Sequence, residues 1–485
     1  MSTGGPRIGS DAPPSDRLAA PQWVAAADFG PRLAGVLLDQ AAHLLHLTWV
    51  PDLPGAPRGA GEEGHLLAVY GGPGGPGCLA SPARGASRPT ACGVVAALLQ
   101  ERRLEAAGVA WAEPAPARDV VGRGVFTFPL GPVRGSVTES AGWRFAVMGD
   151  EPLALDLRFG YKVRHVEERL GTAGPAGGAA VAERVTGTSP VAHASALAMA
   201  WEAALGLEVP DAARYWRGIM AELERLQSHL GDLGALVDST GLPAGAAELL
   251  VWREEVLRLC AVLSGHRYQR GLVTVGGLRA EPKPADDLLP RLFRIADRVP
   301  RVIAALDRTP SFLDRLHGTG ILSEEVAGLL SPVGPVGRAC GRPYDARHDH
   351  PYGLYAERGS PERVVSAGGD AWGRYDVRVG EVRASLAWLA RRLAEGWPDG
   401  PLAAAVPAPP SAGAEIWLGR VEAPRGELVY LVWPGRPGGV PWVRVRTASQ
   451  VNWAAVPPAV SAGGVLQDVP IIEASFGLSV AAFDR

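Results

Sequence analysis

The sequence predicts an α+β fold in which helices dominate. Three long stretches, 195–207, 211–240 and 244–265, carry apolar residues at positions i, i+3, i+4 and i+7, the spacing of an amphipathic helix. Before them, the stretches 125–137 and 143–162 alternate apolar and polar residues, as strands do. We therefore expect a central helical bundle with β elements on both sides of it in the chain.

The first part of the chain predicts a tail and a small α/β domain. Residues 1–20 are polar and rich in Gly and Pro, so we expect them to be disordered. The domain that follows, 21–118, shows in order a helix and then a strand within 32–50, a strand at 65–72 and an amphipathic helix at 91–108. The breaker-rich run 71–89 predicts a surface loop.

Residues 119–485 form the second predicted domain. A Gly149–Asp150 turn makes a hairpin of the stretch 143–162. The Gly/Ala-rich run 171–180 then predicts a loop before the helices. The remaining boundaries follow from helix starts, breakers and alternation: a helix from Pro210 and Asp211, a break at Gly241 and Pro243, helices at about 285–308 and 377–396, and strands at 426–436 and 441–447.

Composition excludes several functions. The net charge of -3 gives no electrostatic footprint for nucleic acid, and Arg and Lys are too dispersed for a basic membrane-binding tail. The apolar runs are shorter than the roughly 20 residues that a membrane-spanning helix needs. The three Gly-rich stretches lack the strand-to-helix context of a dinucleotide site, so we expect no direct binding of NAD: 71–77, 171–178 and 462–464.

The cysteines do not suggest a metal site. None of the four stands at C-x-x-C spacing, which excludes a zinc clamp or a cluster loop: Cys78, Cys92, Cys260 and Cys340. We expect them to be reduced thiols of a cytoplasmic protein. His348, Asp349 and His350 look like a metal tripod, but Pro351 follows them directly and we expect no metal there.

Nine motifs in one order over about 125–485 resemble the family of nickel–iron hydrogenase large subunits, which includes the 49-kDa-type subunit of respiratory complex I. The motifs include FPLGPVRGSVTESAGWRF, ERVTGTSPVAH, ELERLQSHLGDLGAL, YDARHDHPYGLY and DVPIIEASFGLSVAAFDR. The resemblance is nearest to energy-converting hydrogenases of the formate hydrogenlyase type. It implies a hydrogenase large-subunit-like helical bundle with β hairpins, and it makes the domain 21–118 faintly similar to a 30-kDa-type subunit.

The resemblance also shows what this chain lacks. In nickel–iron hydrogenases the first motif reads E-R-V-C-G-x-C-x-x-x-H and the last D-P-C-x-x-C-T-x-R, and the four thiolates hold the metals. The corresponding positions are Thr186, Ser189, Ser479 and Ala482. A Ser or Thr hydroxyl stays protonated near neutral pH and Ala has no donor atom. The resemblance therefore implies a subunit that binds no metal and no nickel–iron centre.

In the complex I subunit the vacated pocket serves a quinone, and the matching residues here are candidates for such a pocket: Arg134, Glu183, Arg184, His193 and Arg425. Arg134 replaces a family His and stays charged, so it can bind an oxygen but not shuttle a proton. Each candidate also has a structural interpretation. His193 would be a buried, hydrogen-bonded histidine, Glu183 and Arg184 an ion pair at a helix entrance, and Arg425 a packing residue of its loop.

Two other histidines have family counterparts. The family His of the GYxH motif is replaced by Val163, with His165 two positions later, and on a strand this shift keeps the same face. His229 lies within the second long helix beside the apolar stripe. There we expect a core histidine bonded to a carboxylate.

Three functions remain open. The first is the large subunit of a membrane-associated oxidoreductase complex, NADH:quinone oxidoreductase-like or hydrogenase-like, with a quinone-type acceptor pocket beside the iron–sulfur cluster of a partner. Its expected partners are a small 20-kDa-type iron–sulfur subunit and membrane subunits, which would hold it at the cytoplasmic face of the inner membrane. The second is a non-catalytic scaffold in which Ala481, Ala482 and Phe483 fill the vacated volume. The third is an active hydrogenase, which stoichiometric nickel in the purified chain would reveal.

Overall fold

The structure, a computed structural model, describes 120, 122–134, 139–284, 286–409, 416–435 and 439–485, and four strands before them. Helices make up most of its regular structure, with small, mainly antiparallel sheets beside them. The α+β class and its helical dominance are therefore confirmed. The predicted division into a tail, a small domain and a large domain stays a prediction.

The four early strands form one sheet in the order β1-β4-β3-β2, with β1 Gln22–Trp23, β2 His43–Val50, β3 His65–Gly72 and β4 Gly75–Pro82. Strands were expected within 32–50 and at 65–72. The loop predicted over 71–89 is wrong in part, because β4 pairs with β3 from His65–Pro82 to Gly72–Gly75. Pairing with a neighbouring strand satisfies the backbone groups of these glycines. Amino-acid composition carries no information about such pairing. The predicted tail, the helix within 32–50 and the helix at 91–108 lie outside the described residues.

A second sheet holds β5 Val125–Leu130, β6 Gly142–Met148 and β7 Glu151–Arg158 in that order, all antiparallel. The hairpin at Gly149–Asp150 is confirmed. Trp143, Phe145 and Val147 on β6 are buried and join a core around Trp453. The sheet thus rests on the C-terminal part of the chain.

The helix α1, Val166–Ala182, replaces the loop predicted over 171–180. Gly174 has the left-handed φ of 55° and kinks the helix just before Pro175. Both helix-breaking residues therefore lie at a single kink. The small residues serve packing, because a β-carbon on Gly171 would lie 2.3 Å from the carbonyl oxygen of Pro441. The prediction failed because the residues that suggested flexibility are required for close contact.

The bundle is built from α2 Pro190–Leu205, α3 Asp211–Ser239, α4 Pro243–Ser264, α5 Leu288–Leu306 and α11 Ala371–Ala394. The predicted starts of α3 and α4 are confirmed. The helix α11 begins before the predicted 377, because the side chain of Asp370 accepts a hydrogen bond from Gly373 N–H, 2.8 Å, and caps it there. Leucine, valine and isoleucine side chains from α3, α4, α5 and α11 form the main core.

Shorter elements complete the fold. They are β8 Val273–Thr274, β9 Gly277–Leu278, α6 Pro310–Leu316, α7 Glu324–Leu330, α8 Gly334–Arg338, α9 Ala346–Asp349, α10 Gly353–Arg358, α12 Ala448–Asn452, α13 Val456–Val460 and α14 Val469–Phe476. Two 3₁₀ turns, Trp453–Ala455 and Leu466–Asp468, join the last three helices. Among the helices of the described residues, none combines the length and the hydropathy that a membrane span requires.

The last sheet contains β10 Trp417–Ala423, β11 Gly426–Trp433 and β12 Trp442–Arg446, which confirms strands at both predicted C-terminal stretches. Every residue of the central strand β11 is buried. The helix α2 lies directly on this sheet, since a β-carbon on Gly419 would lie 1.9 Å from the carbonyl oxygen of Ala196. The sheet therefore fixes the helix that follows the first motif.

Candidate functional site

The segment around Thr186 and the C-terminal segment lie side by side. The guanidinium of Arg164 donates hydrogen bonds to the carbonyl oxygens of Arg184, 2.8 Å, Val185, 2.9 Å, and Ala481, 2.6 Å. One side chain thus joins the two segments that would carry the four metal-ligating cysteines in a nickel–iron hydrogenase.

The four positions without cysteine have different surroundings. Thr186 is buried, and its Oγ1 has no hydrogen-bond partner among the residues that the structure describes. Ser189 is the residue before α2 and its hydroxyl makes no capping bond. The hydroxyl of Ser479 lies 3.2 Å from the carboxylate of Glu139, and Ala482 is buried with no donor side chain. Together these positions offer no thiolate and do not fit a nickel–iron centre.

Cys260 and Cys340, the cysteines whose side chains the structure describes, do not replace the missing ligands. Cys260 is buried within α4, where burial raises the pKa of its thiol, and Cys340 donates to the carbonyl oxygen of Val336. In the part of the chain that the structure describes, no three His, Cys, Asp or Glu side chains are grouped to hold a metal ion. Asp345, next to the His348–His350 stretch, is instead bonded to the guanidinium of Arg347, 2.7 Å.

The C-terminal residues are packed and bonded into the fold. The ring of Phe483 lies 4.5 Å from that of Phe159, centre to centre. The carboxylate of Asp484 accepts from Gly160 N–H, 2.6 Å, and the guanidinium of Arg485 lies 3.1 Å from Glu167. These contacts fix the last motif against the entrance of α1.

Arg134, in the loop that follows β5, is bound to a carboxylate. Its two terminal nitrogens donate to the two oxygens of Glu473 at 2.8 and 2.6 Å, and its guanidinium lies 5.3 Å from the ring centre of Trp143. The bidentate bond to Glu473 raises the pKa of Arg134. The side chain therefore pins the loop after β5 to α14.

His193 lies in the first turn of α2 and is buried. Its Nδ1 is 2.8 Å from the hydroxyl of Tyr430 on β11. Burial lowers the pKa of His193 to about 3, and the positive charges of Arg485 and Arg164 act in the same direction. The imidazole is therefore neutral at physiological pH and joins α2 to the sheet.

Glu183 and Arg184 do not form the ion pair that was one of their two interpretations. They follow the end of α1, where Arg184 donates to the carbonyl oxygen of Ala180 and Glu183 accepts from Gly271 N–H, 2.7 Å. A cation beside the last carbonyls of a helix is favoured by the helix dipole, so Arg184 turns back along its own helix. Burial raises the pKa of Glu183.

Arg425 bridges three parts of the chain. It donates to the hydroxyl of Thr188 and to the carbonyl oxygen of Gly477, and its Nη2 lies 3.2 Å from Asp232. The carboxylate of Asp232 offsets the positive charge of Arg425. The residue ties the first motif to the last.

His165 does not replace the family histidine in the predicted way. The strand β7 ends at Arg158, and His165 stands before α1 with a φ of 51° and a side chain that is 67% exposed. A shift of two residues keeps a side chain on the same face only within a strand, and Val163 does not lie in a strand.

A large buried ionic cluster lies beside the site, and sequence patterns offer little sign of it. Its charged side chains come from α3, α8, α9, α11 and β10, and all are at most 3% exposed: Glu222, Arg225, Arg338, Asp345, Arg347, Glu381 and Glu422. The carboxyl of Glu381 lies 2.8 Å from Nε2 of His229, which confirms the predicted carboxylate-bonded core histidine. Seven charges on five elements have no common spacing, so only the fold brings them together.

Comparison with known proteins identifies the family. Residues 241–415 match the family described as "Respiratory-chain NADH dehydrogenase, 49 Kd subunit". The chain is 30% identical over 368 residues to an NADH-quinone oxidoreductase subunit of Dehalococcoides mccartyi (strain CBDB1), and the match covers 74% of this chain and 98% of that protein. It is 31% identical over 364 residues to formate hydrogenlyase subunit 5 of Escherichia coli (strain K12), over 74% of this chain but only 62% of that protein.

A solved structure shares the fold. It is a chain of the membrane-bound sulfane sulfur reductase, described as an archaeal respiratory membrane complex, with a TM-score of 0.69 and 25% identity over 75% of this chain and 100% of that chain. The matched fold and the 30% identity over nearly the whole of a complex I subunit show that the chain belongs to the family of 49-kDa-type complex I subunits and hydrogenase large subunits.

Proposed function

We propose that this chain is the large subunit of a membrane-associated respiratory oxidoreductase complex, carries no nickel–iron centre, and serves in that complex as a structural subunit. The relatives support the first part, since they are NADH-quinone oxidoreductase and formate hydrogenlyase subunits and the matched structure is a respiratory membrane complex. We place the chain at the cytoplasmic face of the membrane, held by membrane subunits and a small iron–sulfur subunit.

The structural role is supported by the hydrogen bonds that the candidate pocket residues make within the chain. Arg134 is bound to Glu473, Arg425 to Asp232 and Gly477, and His193 to Tyr430. A group that recognises an acceptor has to leave a hydrogen bond free for it. The bonds of these three side chains hold the two motifs, the hairpin and the sheet together, and of the guanidinium nitrogens of Arg134 only Nε is without a partner among the described residues.

A quinone-type acceptor pocket is the second candidate, and two buried polar atoms favour it. Oγ1 of Thr186 and Nε of Arg134 have no partner among the described residues, so a hydrogen bond to a ligand would satisfy them. The neighbouring iron–sulfur cluster of the small subunit would then deliver electrons to that ligand.

Turnover by the purified complex distinguishes the two candidates. We expect Arg134→Gln to leave the KM for the quinone unchanged but to lower the amount of assembled complex, because the bond to Glu473 is lost. Arg144→Gln, on the neighbouring strand and 40% exposed, is the matched control and should alter neither quantity. A KM that rises at least about tenfold in Arg134→Gln but not in the control would establish the acceptor pocket, since tenfold is the loss of about 1.4 kcal/mol of binding.

Metal analysis tests the remaining part of the proposal. The purified complex should contain iron from its small subunit and no stoichiometric nickel. Nickel at one equivalent per chain would contradict the proposal and support an active hydrogenase.

A further inference from the structure

The strand β5 carries phenylalanines on the core face of its sheet, and part of that face is uncovered. In the register of the sheet, Phe126 stands opposite Val147 and Phe128 stands opposite Phe145. Directly opposite residues of neighbouring strands lie on the same face. Val147 and Phe145 are buried in the core around Trp453, whereas Phe126 is 52% exposed and Phe128 is 41% exposed. The apolar face therefore extends beyond the side chains that cover it.

Phe126, Phe128 and Leu130 together are called the inner face of β5. Among the described strands β5 has one neighbour, β6, so it is an edge strand of the three-stranded sheet. Single exposed apolar residues are common, but an apolar patch that continues a core is typical of a contact surface. Removing the two phenylalanine rings from water would be favourable. The inner face of β5 is thus suited to an apolar occupant.

The chain itself brings an apolar segment close to this face. Residues 83–119 lie outside the described residues, and their one aromatic residue is Trp111, 14 positions before Val125. A fully extended chain of this length spans at most about 50 Å. A short flexible tether of this kind holds a segment at an effective concentration of about 1 mM. A second copy of the chain would have to reach a similar concentration to compete for the face.

The segment around Trp111 matches the inner face of β5 in chemistry. Residues 106–112 carry no charge, and neither does the inner face, so contact between them buries no ion. Tryptophan offers a large apolar area, and aromatic rings pack favourably against each other. Its indole N–H needs an acceptor when it is buried, and the open edge of a strand presents backbone carbonyl groups that can accept.

We propose that residues 106–112 dock on the inner face of β5, with the ring of Trp111 packed on Phe126 and Phe128. Docking there joins the part of the chain that precedes β5 to the sheet whose loop carries Arg134. The inference does not depend on the proposed function of the chain. It also gives Trp111, which belongs to no predicted helix or strand, a defined role.

Photo-crosslinking of the full-length chain in its complex tests the contact. Trp111→para-benzoyl-phenylalanine keeps a large aromatic side chain and should link, on irradiation, to Phe126 or Phe128 of the same chain, as located by mass spectrometry. The same substitution at Trp397, an exposed tryptophan, is the matched control and should give no link to β5. A main product that joins two copies of the chain, or joins position 111 to another subunit, would show a different occupant and overturn the proposal. So would the absence of any link to β5.

Two strand variants show which face of β5 is used. Phe126→Ser should lower the yield of the link to β5 at least about fivefold, which corresponds to the loss of about 1 kcal/mol of contact. Thr127→Ala, on the opposite face of the same strand, should leave the yield unchanged. Equal yields in the two variants would contradict docking on the inner face.

Hydrogen exchange tests the proposal without a crosslinker and without a change in the strand. Trp111→Ser should accelerate amide exchange in β5 at least about fivefold, because an uncovered edge strand opens more readily. Trp397→Ser should leave the exchange of β5 unchanged. Exchange in Trp111→Ser that equals the wild type would sink the proposal.

Discussion

Thr186 and Ser479 correspond to positions at which nickel–iron hydrogenase large subunits carry a metal-ligating cysteine, and their hydroxyls have different surroundings. Ser479 has a hydrogen-bond partner, because its hydroxyl lies 3.2 Å from the carboxylate of Glu139. Thr186 has not, and its buried Oγ1 has no hydrogen-bond partner among the described residues. A buried polar atom without a partner costs about 1–3 kcal/mol, so a molecule that formed a hydrogen bond to Oγ1 of Thr186 would gain part of that free energy.

His193 illustrates how a site residue can be kept for the fold. It is buried against Tyr430, and burial depresses its pKa to about 3, whereas an unfolded histidine titrates near 6.5. The unfolded chain therefore binds a proton between these pH values that the folded chain does not. Its contribution to stability is complete above about pH 6.5 and is lost as the pH falls towards 3.

We predict that His193→Gln reduces the acid sensitivity of the chain. Between about pH 6 and pH 4 the wild type should lose up to about 1.4 kcal/mol of unfolding free energy per pH unit through this residue alone, and the variant should not. Urea unfolding followed by tryptophan fluorescence at several pH values measures the difference. His317→Gln, which changes an exposed histidine, should retain the wild-type dependence. A variant curve parallel to the wild type would contradict the assignment.

No side chain of its own segment caps the start of the helix α2. Ser189 makes no side-chain cap, and Pro190 at the first helical position donates no hydrogen bond. The carboxylate of Glu224 on α3 takes over by accepting from Val191 and Ala192 N–H at 2.6 and 3.0 Å. One helix thus caps another, and the first motif is held by a residue that stands 33 positions away from Val191.

We predict that Glu224→Leu lowers the unfolding free energy by about 1–3 kcal/mol, because both backbone donors are left buried and unpaired. Glu224→Gln keeps one accepting oxygen and should cost less than the leucine variant. Amide hydrogen exchange at the start of α2 should accelerate in both variants relative to the rest of the helix. Asp238→Asn, which changes an exposed carboxylate on α3, serves as the control. Equal exchange in Glu224→Leu and in the control would show that Glu224 is not the cap.

Across the whole molecule, the buried charges form the other framework besides the apolar core. Arg338 alone contacts three carboxylates, with Glu422 at 3.0 Å, Asp345 at 3.5 Å and Glu381 closer still. Burial by itself would raise the pKa of Asp345, but Arg347 and Arg338 together lower it, so the carboxylate remains charged. A cluster of this kind is sensitive to the loss of any one member, because the others are then left unpaired in a medium of low polarity.

We predict that Arg338→Met destabilises the chain by about 3–5 kcal/mol, since the carboxylates it neutralises stay buried. Arg258→Met removes an arginine that pairs with Glu254 and Glu255 on the helix surface, with a side chain that is 60% exposed. It should cost about 0–1 kcal/mol. Thermal unfolding of the two variants measures the contrast, and similar losses in both would mean that the buried cluster is not a stabilising framework.

Local patterns in the sequence are enough to establish the helical dominance of the fold, the long helices and the family, because apolar periodicity, helix starts and ordered motifs need no tertiary information. They mislead for the run 171–180 and for β4, where packing against Pro441 and pairing with β3 set the structure. The candidate residues were found from motifs, but their partners were not. Glu473 lies 339 positions from Arg134 and Tyr430 lies 237 from His193, and contacts over such separations arise only when the chain folds. That these polar groups bind one another is therefore a property of the folded chain, which no local pattern encodes.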